Sequence, residues 1–197
     1  NPHFLYNTLD SIIWMAEGRK YEEVVLMTAS LARLLRQSIS NEDEVVPLAR
    51  EVEYAKGYLT IQKMRYKDKL EFEIDVEPSI LNIPLIKLVL QPIIENAIYH
   101  GLKYKESKGL LQVKGFMKDG NAVLQVIDNG VGMDEETLSH IYDKHKVNYH
   151  SNGVGVYNVQ KRLKLYYGEN YGITYESEKG VGTTATITIP GIQEESI

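Results

Sequence analysis

The chain has 197 residues, 43% hydrophobic and 25% charged, an ordinary globular composition with room for one large domain or a small module joined to a medium one. It contains no cysteine, which excludes disulfide frameworks, thiolate nucleophiles and Cys-based metal sites. A net charge of -5 and a pI near 5.6 argue against nucleic acid as the main partner. No apolar run reaches the length of a membrane span, so no membrane contact is expected within these residues. The N-terminus lacks a signal-peptide pattern, and an opening on Asn1 reads as a piece of a longer protein.

In chain order, the first third is helical. Phe4, Leu5, Leu9, Ile12, Ile13 and Ala16 form one apolar stripe that ends near Gly18. Val24, Leu31, Leu34, Leu35 and Ile39 form a second, which stops in the polar run 40–43. Two such helices make a hairpin that cannot bury both its faces, and pairing two hairpins into a four-helix bundle would. Trp14 is expected inside that bundle. A third helix carrying Leu48, Val52, Ala55, Leu59 and Tyr66 follows Pro47.

From Leu70 the period changes to strict alternation over 70–76, a half-buried strand. A helix is expected from about Pro84, bearing Leu85, Leu88, Val89, Ile93, Ile94 and Ala97. Residues 111–117 and 123–127, joined at Asp119-Gly120, read as a hairpin. A short helix over 135–142, a loop, a helix over 156–167 and a last hairpin (173–177 and 183–189) complete the chain. The fold class is α+β: a helical hairpin, then an α/β sandwich with helices on one face of a mixed sheet.

Three features of the second module suit one ligand. Glu95, Asn96 and Tyr99 lie near one face of an apolar helix, with His100 a turn from Asn96; polar groups so placed need partners, which a hydrated Mg²⁺ and phosphate oxygens would provide. Asp128 ends an apolar strand before Asn129-Gly130-Val131-Gly132. A carboxylate held there can accept from an exocyclic amine such as that of adenine, while the glycines let backbone approach a flat base; an ordinary Asx turn is the competing reading. Gly153-Val154-Gly155 precedes a helix bearing Asn158 and Arg162, and glycines opening a helix leave N–H groups free for phosphate. No Gly-Lys-Ser/Thr follows, so this is not a P-loop.

Taken in order, with Gly182-Thr183 after them, these segments resemble the N, G1, G2 and later glycine boxes of the ATPase superfamily shared by gyrase, MutL, a heat-shock chaperone and histidine kinases. The first module narrows the choice. Asn1-Pro2-His3-Phe4-Leu5-Tyr6-Asn7-Thr8-Leu9 resembles the histidine box of LytS-like and YesM-like sensor kinases, and Tyr58-Leu59-x-Ile61-Gln62-x-x-Arg65-Tyr66 is also similar to that family. The resemblance implies a Bergerat-type ATP-binding domain over 69–191, a linker helix over 46–68 and dimerising phosphotransfer helices over 1–45. It further implies that Asn96 holds Mg²⁺, that Asp128 reads adenine and that 134–152 form a mobile lid. The implied activity is ATP-dependent phosphorylation of His3, then transfer to an aspartate of a response regulator, by a homodimer forming the cytoplasmic part of a membrane-anchored sensor.

This sequence departs from the wider pattern twice. Many histidine kinases place an acidic residue directly after the histidine; here it is Phe4, so Asp10 and Asn7, on the His3 face by helical spacing, are the candidates to orient the ring and position water. The basic residue that many relatives place three after the asparagine is Tyr99 here, which leaves His100, Lys103, Lys144 or Lys146 as the phosphate cation. A hinge near 41–47 would bring phosphate to His3. His140, His145 and His150 offer no fourth ligand for zinc. Two other readings stay open: a non-catalytic ATP-binding signalling module, and a serine kinase or other ATPase of the superfamily.

Overall fold

A computed structural model describes residues 2–39, 44–141 and 153–191. Helices α1 (Pro2–Glu17) and α2 (Tyr21–Ile39) form the hairpin. Its turn is a Schellman closure, with Lys20 N bonded to Met15 O at 2.9 Å and Arg19 N to Ala16 O at 3.0 Å. Gly18 is only the last half-helical residue, and Arg19 takes the left-handed position at φ 57. Phe4, Met15, Met27, Leu31 and Leu34 are buried, yet Tyr6, Leu9, Ile13, Val25, Leu26 and Leu35 are exposed. Trp14 is also exposed instead of lying in the core, and the ammonium groups of Lys67 and Lys20 stand 4.5 and 5.7 Å from its ring centre.

Strand β1 (Val45–Pro47) leads into α3 (Leu48–Tyr66), which supplies the rest of that core: Tyr58, Leu59 and Ile61 are fully buried. Gly57 lets α2 come close, since a Cβ there would stand 3.1 Å from Leu34 Cδ2. The helix expected as a linker is fastened to the following domain as well. Leu48 N and Ala49 N bond to Ile83 O and Leu81 O, each at 2.9 Å, and Lys87 N bonds to Glu44 O at 3.0 Å. Of the expected hinge, 41–43 lie outside the described residues, and β1 is already paired.

Its partner is β3 (Pro84–Ile86), so the helix expected from Pro84 starts later. Leu88 has φ 63, incompatible with a right-handed helix, and α4 runs only over Leu90–Asn96 before a π-helical turn, Ala97–Leu102. Strands β2 (Leu70–Val76), β4 (Gly109–Lys118), β5 (Asn121–Asp128), β6 (Gly172–Glu178) and β7 (Gly182–Pro190) form one sheet in the order β2-β4-β5-β7-β6. Only β2 and β4 are parallel; the other neighbours are antiparallel. The β4–β5 turn has φ 51 at Asp119 and 77 at Gly120, the signs of a type I′ turn that matches strand twist.

Leu111, Val113, Leu124, Val126, Ala185 and Ile187 line the inner face of the sheet and are buried beneath α4 and α6 (Gly153–Tyr167). Leu70, Phe72, Ile74 and Val76 of β2 pack against the same core, which accounts for the strict alternation over 70–76. A short helix, α5 (Glu135–Ser139), starts at Asp134, whose side chain accepts from Thr137 N at 3.0 Å. Among the described residues, no helix is long and apolar enough to cross a membrane.

Candidate functional site

A cavity of about 540 Å³ opens between α4, the ends of β5 and β7, and α5, a size suited to a small-molecule ligand. Asp128 sits on its floor as the last residue of β5, 6% exposed. Its carboxylate accepts from Gly130 N at 2.8 Å. Burial pushes the carboxyl up to about 6, against the pull of the Gly130 and Thr183 N–H groups and the nearby Lys105. A buried acceptor beside an open cavity calls for a donor from the ligand.

Glycines make the floor possible. A Cβ on Gly101 would lie 2.7 Å from Asp128 Oδ1, and one on Gly130 would lie 2.4 Å from the Gly101 carbonyl carbon. Gly132, at φ 65, passes so close to β6 that a Cβ would stand 1.9 Å from Glu178 O. Gly182, at φ 146, would put one 2.0 Å from Asp128 O. Thr183 borders the cavity, its hydroxyl 2.8 Å from Ser177 Oγ, which in turn accepts from Met133 N at 2.9 Å.

Asn96, the last residue of α4, also lines the cavity. Its Oδ1 is buried without a hydrogen-bond partner among the described residues, as is Tyr99 Oη. An unpaired amide carbonyl is a hard oxygen donor, the kind Mg²⁺ takes alongside phosphate and water. The residues therefore fit the metal. His100 borders the cavity too, and partial desolvation together with Lys103 lowers its imidazole below the ordinary value, so near pH 7 it is a neutral hydrogen-bonding group rather than a cation.

Other expected residues stand apart from the cavity. Glu95 is buried and accepts from Gln91 Nε2 at 2.9 Å; burial first, and the Glu95 charge after it, disfavour ionisation of Tyr58. Lys103 is exposed, 5.7 Å from the Tyr104 ring centre, and borders a separate small cleft. The π-helical turn explains this: Lys103 N bonds to Ile98 O, five residues back, and the wider turn keeps His100 beside Asn96 while carrying Lys103 off that face.

Gly153 and Gly155 lie within the first turn of α6 instead of ahead of it, and a Cβ on Gly155 would meet Pro92 at 3.3 Å. The first-turn N–H groups of a helix have no intrahelical partners, so the anion-binding argument survives the shift. Asn158 is exposed on α6, outside the cavity lining, and Arg162 Nη2 donates to Lys87 O at 2.9 Å. Lys144, Lys146, His145 and His150 lie outside the described residues. His140, which borders the cavity, pairs its Nδ1 with Glu136 O at 2.7 Å.

In the hairpin, His3 is exposed on the first turns of α1. Asn7 Nδ2 lies 3.0 Å from its Nδ1 and 3.2 Å from its Nε2. An amide N–H donates to an unprotonated ring nitrogen, so Asn7 is placed to orient the imidazole. Asp10 is exposed and forms no hydrogen bond with the ring. Phe4 turns inward, its ring centre 4.9 Å from that of Tyr58.

Sequence reasoning missed Gly101, Ser177 and Lys105, whose ammonium donates to Asn129 O. Only Gly101 carried a signal, as a glycine closing a polar helix segment.

Comparison with known proteins places these features in context. The family described as histidine kinase matches residues 1–70, and that described as histidine kinase-, DNA gyrase B-, and HSP90-like ATPase matches residues 82–193. The chain is 35% identical over 190 residues to the sensor histidine kinase YesM of Bacillus subtilis, covering 96% of this chain and 32% of that protein. It is 33% identical to the sensor protein LytS of Oceanobacillus iheyensis, over 86% of this chain and 29% of that one. It thus spans about a third of the length of these relatives.

Among solved structures, the catalytic domain of histidine kinase ThkA superposes with a TM-score of 0.56 at 16% identity, covering 76% of this chain and 99% of that one. The histidine kinase domain of the blue-light activated kinase from Erythrobacter litoralis EL346 gives 0.53, also at 16% identity, over 85% of this chain and 72% of that one. At such identities the likeness concerns the fold.

Proposed function

The chain belongs to the histidine kinase-, DNA gyrase B- and HSP90-like ATPases, among the sensor histidine kinases, and from that premise we propose that it binds ATP in the cavity over Asp128 and transfers the γ-phosphoryl group to His3. The observation that carries the reading is the buried Asp128 carboxylate, closely backed by glycines at the edge of the cavity, an acceptor suited to an amine donor.

In the reaction, an imidazole nitrogen of His3 attacks the γ-phosphorus as the bond to the β–γ bridging oxygen breaks. ADP leaves with that electron pair, and the ring loses its remaining proton to water. Asn7 supports the step by orienting the ring. Positioning and charge neutralisation provide most of the rate in phosphoryl transfer, and bound Mg²⁺ would supply the latter at Asn96 Oδ1. Asp128 orients the nucleotide through its base. The first-turn N–H groups of α6 would serve phosphate, and Glu136 and Thr137 of α5 border the cavity that would hold the ligand.

The division proposed is phosphotransfer helices over 1–45, a linker helix over 46–68 and the ATP-binding domain over 69–191. The exposed apolar residues of α1 and α2 suit pairing with a second hairpin in a homodimer. From His3 the phosphoryl group passes to an aspartate of a response regulator, and the full protein is a membrane-anchored sensor with this part in the cytoplasm.

The deciding test is His3→Gln in the longer parent protein, incubated with labelled ATP and Mg²⁺. It should retain nucleotide binding and lose all acid-labile, base-stable phosphate. Phosphohistidine persisting in that variant overturns the assignment.

A further inference from the structure

Helix α4, which carries Asn96, lacks a cap of its own. The residue at its N-cap is Val89, with no side-chain hydrogen bond to the first turn. An N-cap normally provides that oxygen, and without it the opening N–H groups are left unpaired in a buried place. Here the oxygens come from another helix. Glu51, in the first turn of α3 and 7% exposed, receives Leu88 N on Oε1 at 2.8 Å and Val89 N and Leu90 N on Oε2 at 2.9 and 3.0 Å. Helix α6 grips the same loop from its other side, Arg162 donating to Lys87 O at 2.9 Å. Between these grips Leu88 is held at φ 63, a conformation that a leucine adopts only when its surroundings impose it.

We propose that Glu51 is a positioning residue for the nucleotide site: it caps α4 from α3 and thereby fixes where Asn96 stands. Helix α3 also packs on the phosphoacceptor hairpin, through Tyr58 against Phe4, so one helix touches the residue after His3 and holds the start of the helix that bears Asn96. A displacement of α3 relative to α4 withdraws a carboxylate from three N–H groups at once, and the metal-facing wall of the cavity loosens. Asp128 is held separately, since it ends β5 and pairs there with Thr183 of β7.

The inference rests on the reading of Asn96 as a magnesium ligand, and the experiment separates the two. Binding of the non-hydrolysable analogue AMP-PNP is titrated calorimetrically to the 197-residue chain, in Mg²⁺ and in EDTA, for wild type, Glu51→Gln, Asn96→Ala and the double variant. The ratio of the two affinities is the magnesium gain. Glu51→Gln turns an amide N–H toward the N–H groups that the carboxylate served. It should cut the gain by about tenfold, the low end of the usual effect of a residue that supports a ligand from behind, with the EDTA affinity unchanged. In the Asn96→Ala background it should have no further effect.

Glu51→Asp keeps the charge one methylene short and should show a smaller loss of the same kind, which keeps the test available if the glutamine variant fails to fold. A wild-type gain retained in full by both Glu51 variants overturns the inference alone. Equal losses with and without Mg²⁺ reduce Glu51 to a structural role and overturn it as well. A wild-type chain with no magnesium gain overturns the Asn96 reading and the inference together.

Discussion

The hairpin and the sheet domain both bury a core, but only one of them closes it. In the sheet domain Leu85, Leu90, Ile94, Leu111, Val113, Leu124 and Ile187 are sealed from solvent on every side. In the hairpin, Ile13 and Leu35 remain 57% and 40% exposed although the apolar stripes run straight through them. The lesson is that the apolar stripe of a helix pair can exceed what one hairpin buries, whereas the alternation of a strand reports burial within its own sheet. The ATP-binding region should therefore respond to substitutions as a self-contained fold, and the hairpin as half of an interface.

The sharpest break of that contrast lies in the sheet domain. Gly132→Ala forces a Cβ against Glu178 O at a left-handed φ and should destabilise the domain by about 3 kcal/mol in urea unfolding. A midpoint close to wild type would show that the β6 turn yields easily.

Next comes Asp128→Ala, which should weaken ATP by about 1–3 kcal/mol with the fold intact, as read by calorimetry. The same residue gives a pH dependence. Its carboxyl is raised to about 6 from 3.8, so folding stability from this group is fully present below 3.8 and is lost as pH rises through 6. An amine donor favours the ionised form, so ATP binding runs the opposite way. Affinity should fall as pH drops below 6, by no more than about tenfold per unit, with protons released on binding in that window. A wild-type affinity flat from pH 7 to 5 would detach Asp128 from the ligand.

On folding stability the smallest effect is expected in the hairpin. Ile13→Glu should leave the unfolding free energy of the sheet domain within about 0.5 kcal/mol of wild type while removing self-association in light scattering. A dimer that survives Ile13→Glu would move the interface off this face.

What could be read from the sequence followed a simple physical line. Asp128, Gly132 and Gly182 were legible because turn chemistry is local: a strand-end carboxylate followed by glycines constrains its own backbone. Asn96 was legible as a polar residue on an apolar helix. Lys103 was misplaced because a helical period of 3.6 was assumed through a segment that widens to a π-turn. The late start of α4 went unseen because a three-residue strand pairing with 45–47 has no periodicity of its own. Glu51 had no signal, since its partners lie 37 to 39 positions away, and neither did Arg162, whose carbonyl partner is 75 positions back.

The type I′ turn at Asp119-Gly120 has a consequence in time. Hairpins closed by such turns form in roughly 1–10 μs, whereas a parallel pair must first close a long crossover. Strands β4 and β5 can therefore zip from Lys118 and Asn121 outward, and the last pair to meet is Leu111 with Asp128. Strand β2, parallel to β4, joins only after the chain between them has folded back. Replacing Gly120 by valine, which resists φ 77, should slow refolding more than it speeds unfolding in stopped-flow measurements, and the reverse partition would place the start of folding elsewhere. Along this route the cavity floor at Asp128 is finished at the far end of the first hairpin, only when the sheet around that end is already in place.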